Sequence, residues 1–324
     1  MKNKNRWPRS IDCQIEAVFH SIRAVGSKKR ENSSGVRSFG TWRVYLRESH
    51  RFAEFLRLKG RDNILNVGYV QKDMAEYLEN RLNDYVRHGR SRQTMETILS
   101  AFGKFEVAVN HYIETHRPGQ PTLYTEQIRK DFYAKSKKLL PKSSRHFDNR
   151  AYSDPIQLIS AIPDGTFALQ ASLQYEGGLR AEGVGAASSR RLKNPLTEKG
   201  LLGVINDPVT CRRVGVVASV EKGGKLTHHY VSEETYQRLQ EYISRNGQLE
   251  SDYVNYLDAI NQAAKVTNQH FSGRGSHALK HNFAQERNFQ CAQHGLTHEQ
   301  ALQLTSLELS HFRLRETLGY TRGK

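Results

Sequence analysis

Four short strings bring together side chains suited to an anionic group. Gly177-Gly-Leu-Arg-Ala-Glu-Gly-Val184 carries Arg180 and Glu182, and Val220-Glu-Lys-Gly-Gly-Lys225 carries Lys222 and Lys225. His277-Ala-Leu-Lys-His281 carries two imidazoles around Lys280, and Leu318-Gly-Tyr320 ends on a phenol. A guanidinium grips two phosphate oxygens with one planar fork, whereas an ammonium holds one as a point charge. Cations preorganised around a phosphodiester under attack stabilise the charge that develops on its non-bridging oxygens. The i, i+4 spacing of His277 and His281 also suits metal ligation on one helix face, but the Glu of a zinc-protease motif is replaced by Ala278. His294 and His298 repeat that spacing and read as a polar helix face or loop.

In order and context these strings resemble the boxes of the tyrosine recombinases, the phage-type integrases. Residues 177–184 resemble the G-x-R-x-x-E box, residues 220–225 the lysine-bearing β-hairpin turn, residues 277–281 the H-x-x-R-H box and residues 318–320 the L-G-H segment. The resemblance implies a DNA strand-exchange enzyme acting through a 3′-phosphotyrosyl link. Arg180 would clamp the phosphate, Lys222 would protonate the departing 5′ oxygen as general acid, and His277 would bind the phosphate or shuttle the nucleophile's proton. Glu182 and His281 would support them. Lys280 stands where the family has a second Arg and so loses the bidentate fork. Tyr320 stands where His or Trp is usual.

The nucleophilic Tyr of that pattern lies about nine positions beyond the L-G-H histidine. With Tyr320 filling the histidine's place, it is expected past Lys324, making the chain a fragment or an early stop. Tyr320 as nucleophile is the alternative weighed against this, set aside because it follows Gly319 so closely. The long interval from Lys280 to Leu318, with an insertion at Gln290–Ser306, resembles integrases of mobile elements.

Such a site needs a scaffold, and apolar periodicity supplies one. Residues 1–35 read as a basic arm, with one short helix around Ile15–Ile22 followed by a flexible stretch. From Trp42, Tyr45 and Leu46 through Met74, Tyr77 and Leu78 to Ile98, Phe102, Phe105 and Val109, apolar residues recur at three- and four-residue steps. That predicts a helical domain over 36–135, with His88-Gly89 ending one helix and Ser91 capping the next. Residues 136–152 read as a basic linker lying on DNA, and Lys135, Lys137, Lys138, Lys142, Arg145, Arg150 and Lys225 are the expected DNA contacts. Beyond residue 153 the pattern is helical, interrupted by β-branched runs between Leu201 and Val231 and a Gly223-Gly224 turn. The expected fold is mainly α with a small antiparallel β-sheet. By resemblance, this is a SAM-like helical DNA-binding domain followed by an α+β catalytic domain over 153–324.

Charge points the same way. The chain of 324 residues has a net charge of +16, and residues 1–150 hold 30 basic against 16 acidic side chains while the rest hold 19 against 17. The excess sits in the first half, as a module tracking a phosphate backbone requires. Cys13, Cys211 and Cys291 are isolated and suggest neither disulfides nor a metal site. With no signal-like or membrane-length apolar run, a cytoplasmic protein is expected.

The partner expected is double-stranded DNA, and the resemblance implies four protomers on two duplexes. No cofactor or metal is expected, because a covalent intermediate retains the bond energy. Two rival readings are a catalytically silent DNA-binding remnant and a metal-dependent hydrolase using the histidine pairs.

Overall fold

The computed structural model describes residues 7–25, 34–142, 150–187, 194–221, 225–269, 274–310 and 314–321. The chain divides into two compact units, Met1–Ser144 and Arg145–Lys324.

The first unit is helical: α1 (Ile11–Ser21), α2 (Phe39–Leu58), α3 (Val67–Arg87), α4 (Arg92–His116) and α5 (Glu126–Leu139). Each buries the stripe its sequence spaces at one helical turn, such as Val70, Met74, Leu78 and Leu82 on α3. Phe52 of α2 meets Phe102 of α4 edge-on at 5.2 Å and Tyr77 of α3 at 5.4 Å, the geometry favoured by the aromatic quadrupole. Gly89, at φ +59°, ends α3 in the left-handed region.

Two expectations are corrected here. The interval 1–35 is not merely an arm, because α1 inserts Ile15, Val18 and Phe19 into the core. The basic stretch assigned to a linker begins as helix: Lys135, Lys137 and Lys138 lie on α5, whose Phe132 and Ser136 are buried. Lys135 is paired with Glu79 at 2.6 Å, while Lys138 and Lys142 are exposed; Arg145 lies outside the described residues.

The second unit begins with α6 (Pro155–Ser160) and α7 (Gly165–Gly177). The short strands β1 (Ala186–Ala187) and β2 (Leu196–Thr197) pair with β7 (Ser251–Asp252) and β6 (Gln248–Leu249). Strands β3 (Leu201–Asn206), β4 (Arg213–Glu221) and β5 (Lys225–Ser232) form one antiparallel sheet in the order β3-β4-β5. Helices α8 (Glu233–Asn246), α9 (Tyr253–Val266), α10 (His277–Gln293), α11 (His298–Glu308) and α12 (Leu314–Thr321) complete the unit. No helix among the described residues is long and apolar enough to cross a membrane.

Helix α7 is the axis of this unit and is buried on all sides, including Gln170 and Gln174. Buried amides need partners, and these two find them in the chain that follows the helix. Gln170 Nε2 donates to the Val184 carbonyl at 2.8 Å, and Gln174 Nε2 to the Leu179 carbonyl at 3.1 Å. Together they fix both ends of the turn that presents Arg180.

A buried ion cluster ties α10 to the end of α11. Arg287 reaches Glu308 through Nε at 2.9 Å and Nη2 at 2.8 Å, and Nη2 also meets Asp207 at 2.8 Å. Replacing Arg287 with Met should cost about 3–5 kcal/mol of unfolding free energy, because two buried carboxylates lose their shared cation. Denaturant titration checks this; a loss under about 1 kcal/mol would mean the cluster is solvated.

Candidate active site

Five of the side chains singled out by the sequence, Arg180, His277, Lys280, His281 and Tyr320, lie around the end of α7, the start of α10 and α12. Gly178, at φ +66°, takes the left-handed conformation that ends α7, and a Cβ there would come within 2.5 Å of the Phe283 ring. The backbone can therefore turn against α10 and present Arg180 two residues later. The Arg180 guanidinium donates from Nη1 to Glu221 Oε2 at 2.6 Å, and its backbone N–H donates to Glu221 Oε1 at 3.0 Å.

Lys280 is fully buried. Its Nζ donates to the Gly178 carbonyl at 2.6 Å and the Leu309 carbonyl at 3.1 Å, so its ammonium fastens the α7 terminus to the segment after α11. At the position of the second clamp, the charge is thus bound to carbonyls. Burial pushes its pKa down to about 7, with Glu221 opposing and Arg180 adding to the shift.

On the same helix, His277 and His281 both turn to Tyr320. Tyr320 Oη and His277 Nε2 lie 3.0 Å apart in a hydrogen bond, and the Tyr320 ring stacks on His281 at 4.3 Å with a 24° interplanar angle. Burial pushes His277 down to about 4, helped by the positive charges of Lys280, Arg150 and Arg180. The imidazole is therefore neutral at pH 7 and can accept a proton. Burial raises the Tyr320 phenol, against the pull of Arg180 and Arg150.

Lys222 lies outside the described residues. Glu221 and Lys225 pair across strands β4 and β5. Glu182 lies in the turn at 181–185 that follows Arg180.

Two contributors were not singled out for this site. Glu221 has a fully buried side chain, and the signal for it was strand phase: with Val217 and Ser219 it occupies the inward-facing alternate positions of β4. A carboxylate in that phase demands a buried cation. Arg150 was expected as a DNA contact in the linker, yet its charge acts on both His277 and Tyr320.

Chemically, the arrangement pairs a neutral imidazole with a phenol, beside a mostly buried guanidinium and a fully buried ammonium. The phenol is hydrogen-bonded to that imidazole, and the guanidinium can hold an anion in front of it.

Compared by sequence, the chain matches no family model and no curated protein. Compared by structure, it is similar to XerH site-specific recombinase bound to palindromic difH substrate in a post-cleavage complex, with TM-score 0.56, 12% identity, 99% of this chain and 96% of that one covered. It is also similar to a lambda integrase dimer bound to a COC′ core site, with TM-score 0.51, 14% identity, 88% of this chain and 89% of that one covered. The fold of this chain is the one these two structures share.

Proposed function

We propose that the protein is a site-specific DNA recombinase or integrase in which Tyr320 is the nucleophile. The hydrogen bond between Tyr320 Oη and the neutral His277 carries this reading. It replaces the expectation of a nucleophile beyond Lys324. The spacing supports the change: taking His311 of Leu309-Ser-His311 as the L-G-H histidine puts Tyr320 nine positions downstream, where the family pattern has its nucleophile.

In the proposed reaction the Tyr320 hydroxyl gives its proton to His277 Nε2 and its oxygen attacks a backbone phosphorus. The bond from phosphorus to the 5′ oxygen breaks, and that oxygen takes a proton from Lys222. Arg180 holds the non-bridging oxygens, and the Lys280 charge supports them from behind. A 5′-hydroxyl from a partner strand then reverses the step, so each bond broken is exchanged for one of similar energy. Double-stranded DNA is the proposed partner, bound by the charge excess of the first half, with four protomers acting on two duplexes.

The test uses a duplex selected by the protein from a random-sequence pool, nicked near the bound centre and end-labelled. A denaturing gel should show DNA linked to protein, and log affinity should fall linearly with log salt. Binding without any linked band would overturn the enzyme reading in favour of a silent DNA-binding protein.

A further inference from the structure

Among the described residues, the Glu221 carboxylate is the acidic group set among the cations of this site. Lys280 is faced by Glu221 from β4 and Arg180 from the turn after α7, with the Gly178 and Leu309 carbonyls as its hydrogen-bond acceptors. On β5, His229 Nε2 lies 3.8 Å from Glu221 Oε1, while its Nδ1 bonds to the Gly177 carbonyl at 2.8 Å. Burial pushes His229 down to about 4, so this ring is neutral and leaves the carboxylate to Arg180 and Lys280. Burial by itself would raise the Glu221 carboxyl, but Lys280 and the Arg180 N–H outweigh it and hold it below its ordinary value.

The room for this carboxylate comes from Gly183. A Cβ built there would lie 2.5 Å from Glu221 Oε1 and 3.1 Å from Ser219 Oγ. Gly183 is not in the left-handed region, so glycine is needed at this position for space and not for backbone shape. It is also the residue three after Arg180, where the G-x-R-x-x-E pattern has its acid.

We propose that Glu221 is a positioning residue: its carboxylate, seated in the space left by Gly183, orients the Arg180 guanidinium and supplies the counter-charge of the buried Lys280 ammonium. The hairpin thus provides the acid that the Arg box leaves out at position 183. Glu221 is the last residue of β4, so the same contact ties the end of that strand to Arg180.

This rests on the recombinase reading, so the test includes a measurement that needs no activity. In full-length protein carrying 15N-labelled lysine, the Lys280 Nζ titration is followed by NMR in the wild type, in Glu221→Gln and in Gly183→Ala. Both variants should titrate at lower pH, since the ammonium loses its compensating charge or has it displaced. In cleavage of the nicked duplex, both should lose about 100-fold in kcat/KM. The fall in kcat/KM with rising pH should move to lower pH, and Lys280→Arg in the Glu221→Gln background should remove that fall. If Glu221→Gln fails to fold, Gly183→Ala carries the test, as it alters no charge. An unmoved Lys280 titration overturns the counter-charge role, and cleavage within threefold of wild type overturns the positioning of Arg180. If wild type itself forms no covalent complex, only the recombinase reading falls, and the NMR arm still decides the counter-charge.

Discussion

Tyr320→Phe should bind duplex DNA as the wild type does and yield no protein-linked band at any time point. The change removes one oxygen. Phe keeps the ring that stacks on His281 at 4.3 Å, so the packing between α10 and α12 survives. The lost hydrogen bond to His277 should cost about 0.5–1.5 kcal/mol of stability, too little to unfold the unit. What disappears is the proposed nucleophile, and of the described neighbours His281 is stacked on the ring and the Lys280 ammonium is bound to two carbonyls, so neither takes its place. The same variant separates the two placements of the nucleophile. If the attacking tyrosine lay beyond Lys324, Tyr320→Phe would leave a linked band of near-normal intensity whenever that residue is present. Denaturing gels over a long time course, with filter binding at one fixed salt concentration, read both quantities.

Leu318-Gly-Tyr320 matches the L-G part of the segment letter for letter, whereas Leu309-Ser-His311 keeps the histidine and loses the glycine. Of the two strings, the second keeps the group able to exchange a proton. On the proposed reading, Leu309-Ser-His311 shortens the interval after Lys280 that suggested an insertion at Gln290–Ser306. That stretch holds the end of α10 and most of α11, whose Ala301, Leu302 and Thr305 are buried.

Elsewhere legibility followed the strength of periodic signals. Helices α2, α3 and α4 carry long apolar stripes and were plain, as was the β4–β5 hairpin with its β-branched run. Helix α5 was obscured because its inward positions, Phe132, Ser136 and Leu140, step by four but include a serine among dense lysines. Within the site, residues in motifs could be named, while partners brought in by tertiary structure could not. Glu221 reaches Arg180 across 41 residues of sequence, and Arg150 acts on His277 from the far side of the sheet-forming segment. No local pattern encodes such a contact; only the strand phase of Glu221 hinted at one.

Arg180→Ala is expected to abolish detectable strand cleavage while DNA affinity at fixed salt changes only a few-fold. Two effects combine, and a second variant separates them. Removing one preorganised donor to a developing oxyanion costs about 10²–10³ in kcat, and a guanidinium that grips two oxygens should lie at the upper end. The truncation also strands Glu221, whose side chain is fully buried against an Arg180 that is 23% exposed. A buried carboxylate that loses its hydrogen-bonded guanidinium and keeps only the Lys280 charge should lower the unfolding free energy by about 1–3 kcal/mol. Arg180→Lys restores a cation for Glu221 and so should recover most of that stability, but it lacks the planar fork and should remain slow. Single-turnover cleavage and denaturant midpoints on the same preparations resolve the pair. Slow cleavage with normal stability in Arg180→Lys assigns the rate loss to phosphate recognition, and wild-type cleavage in Arg180→Ala would remove Arg180 from the reaction altogether.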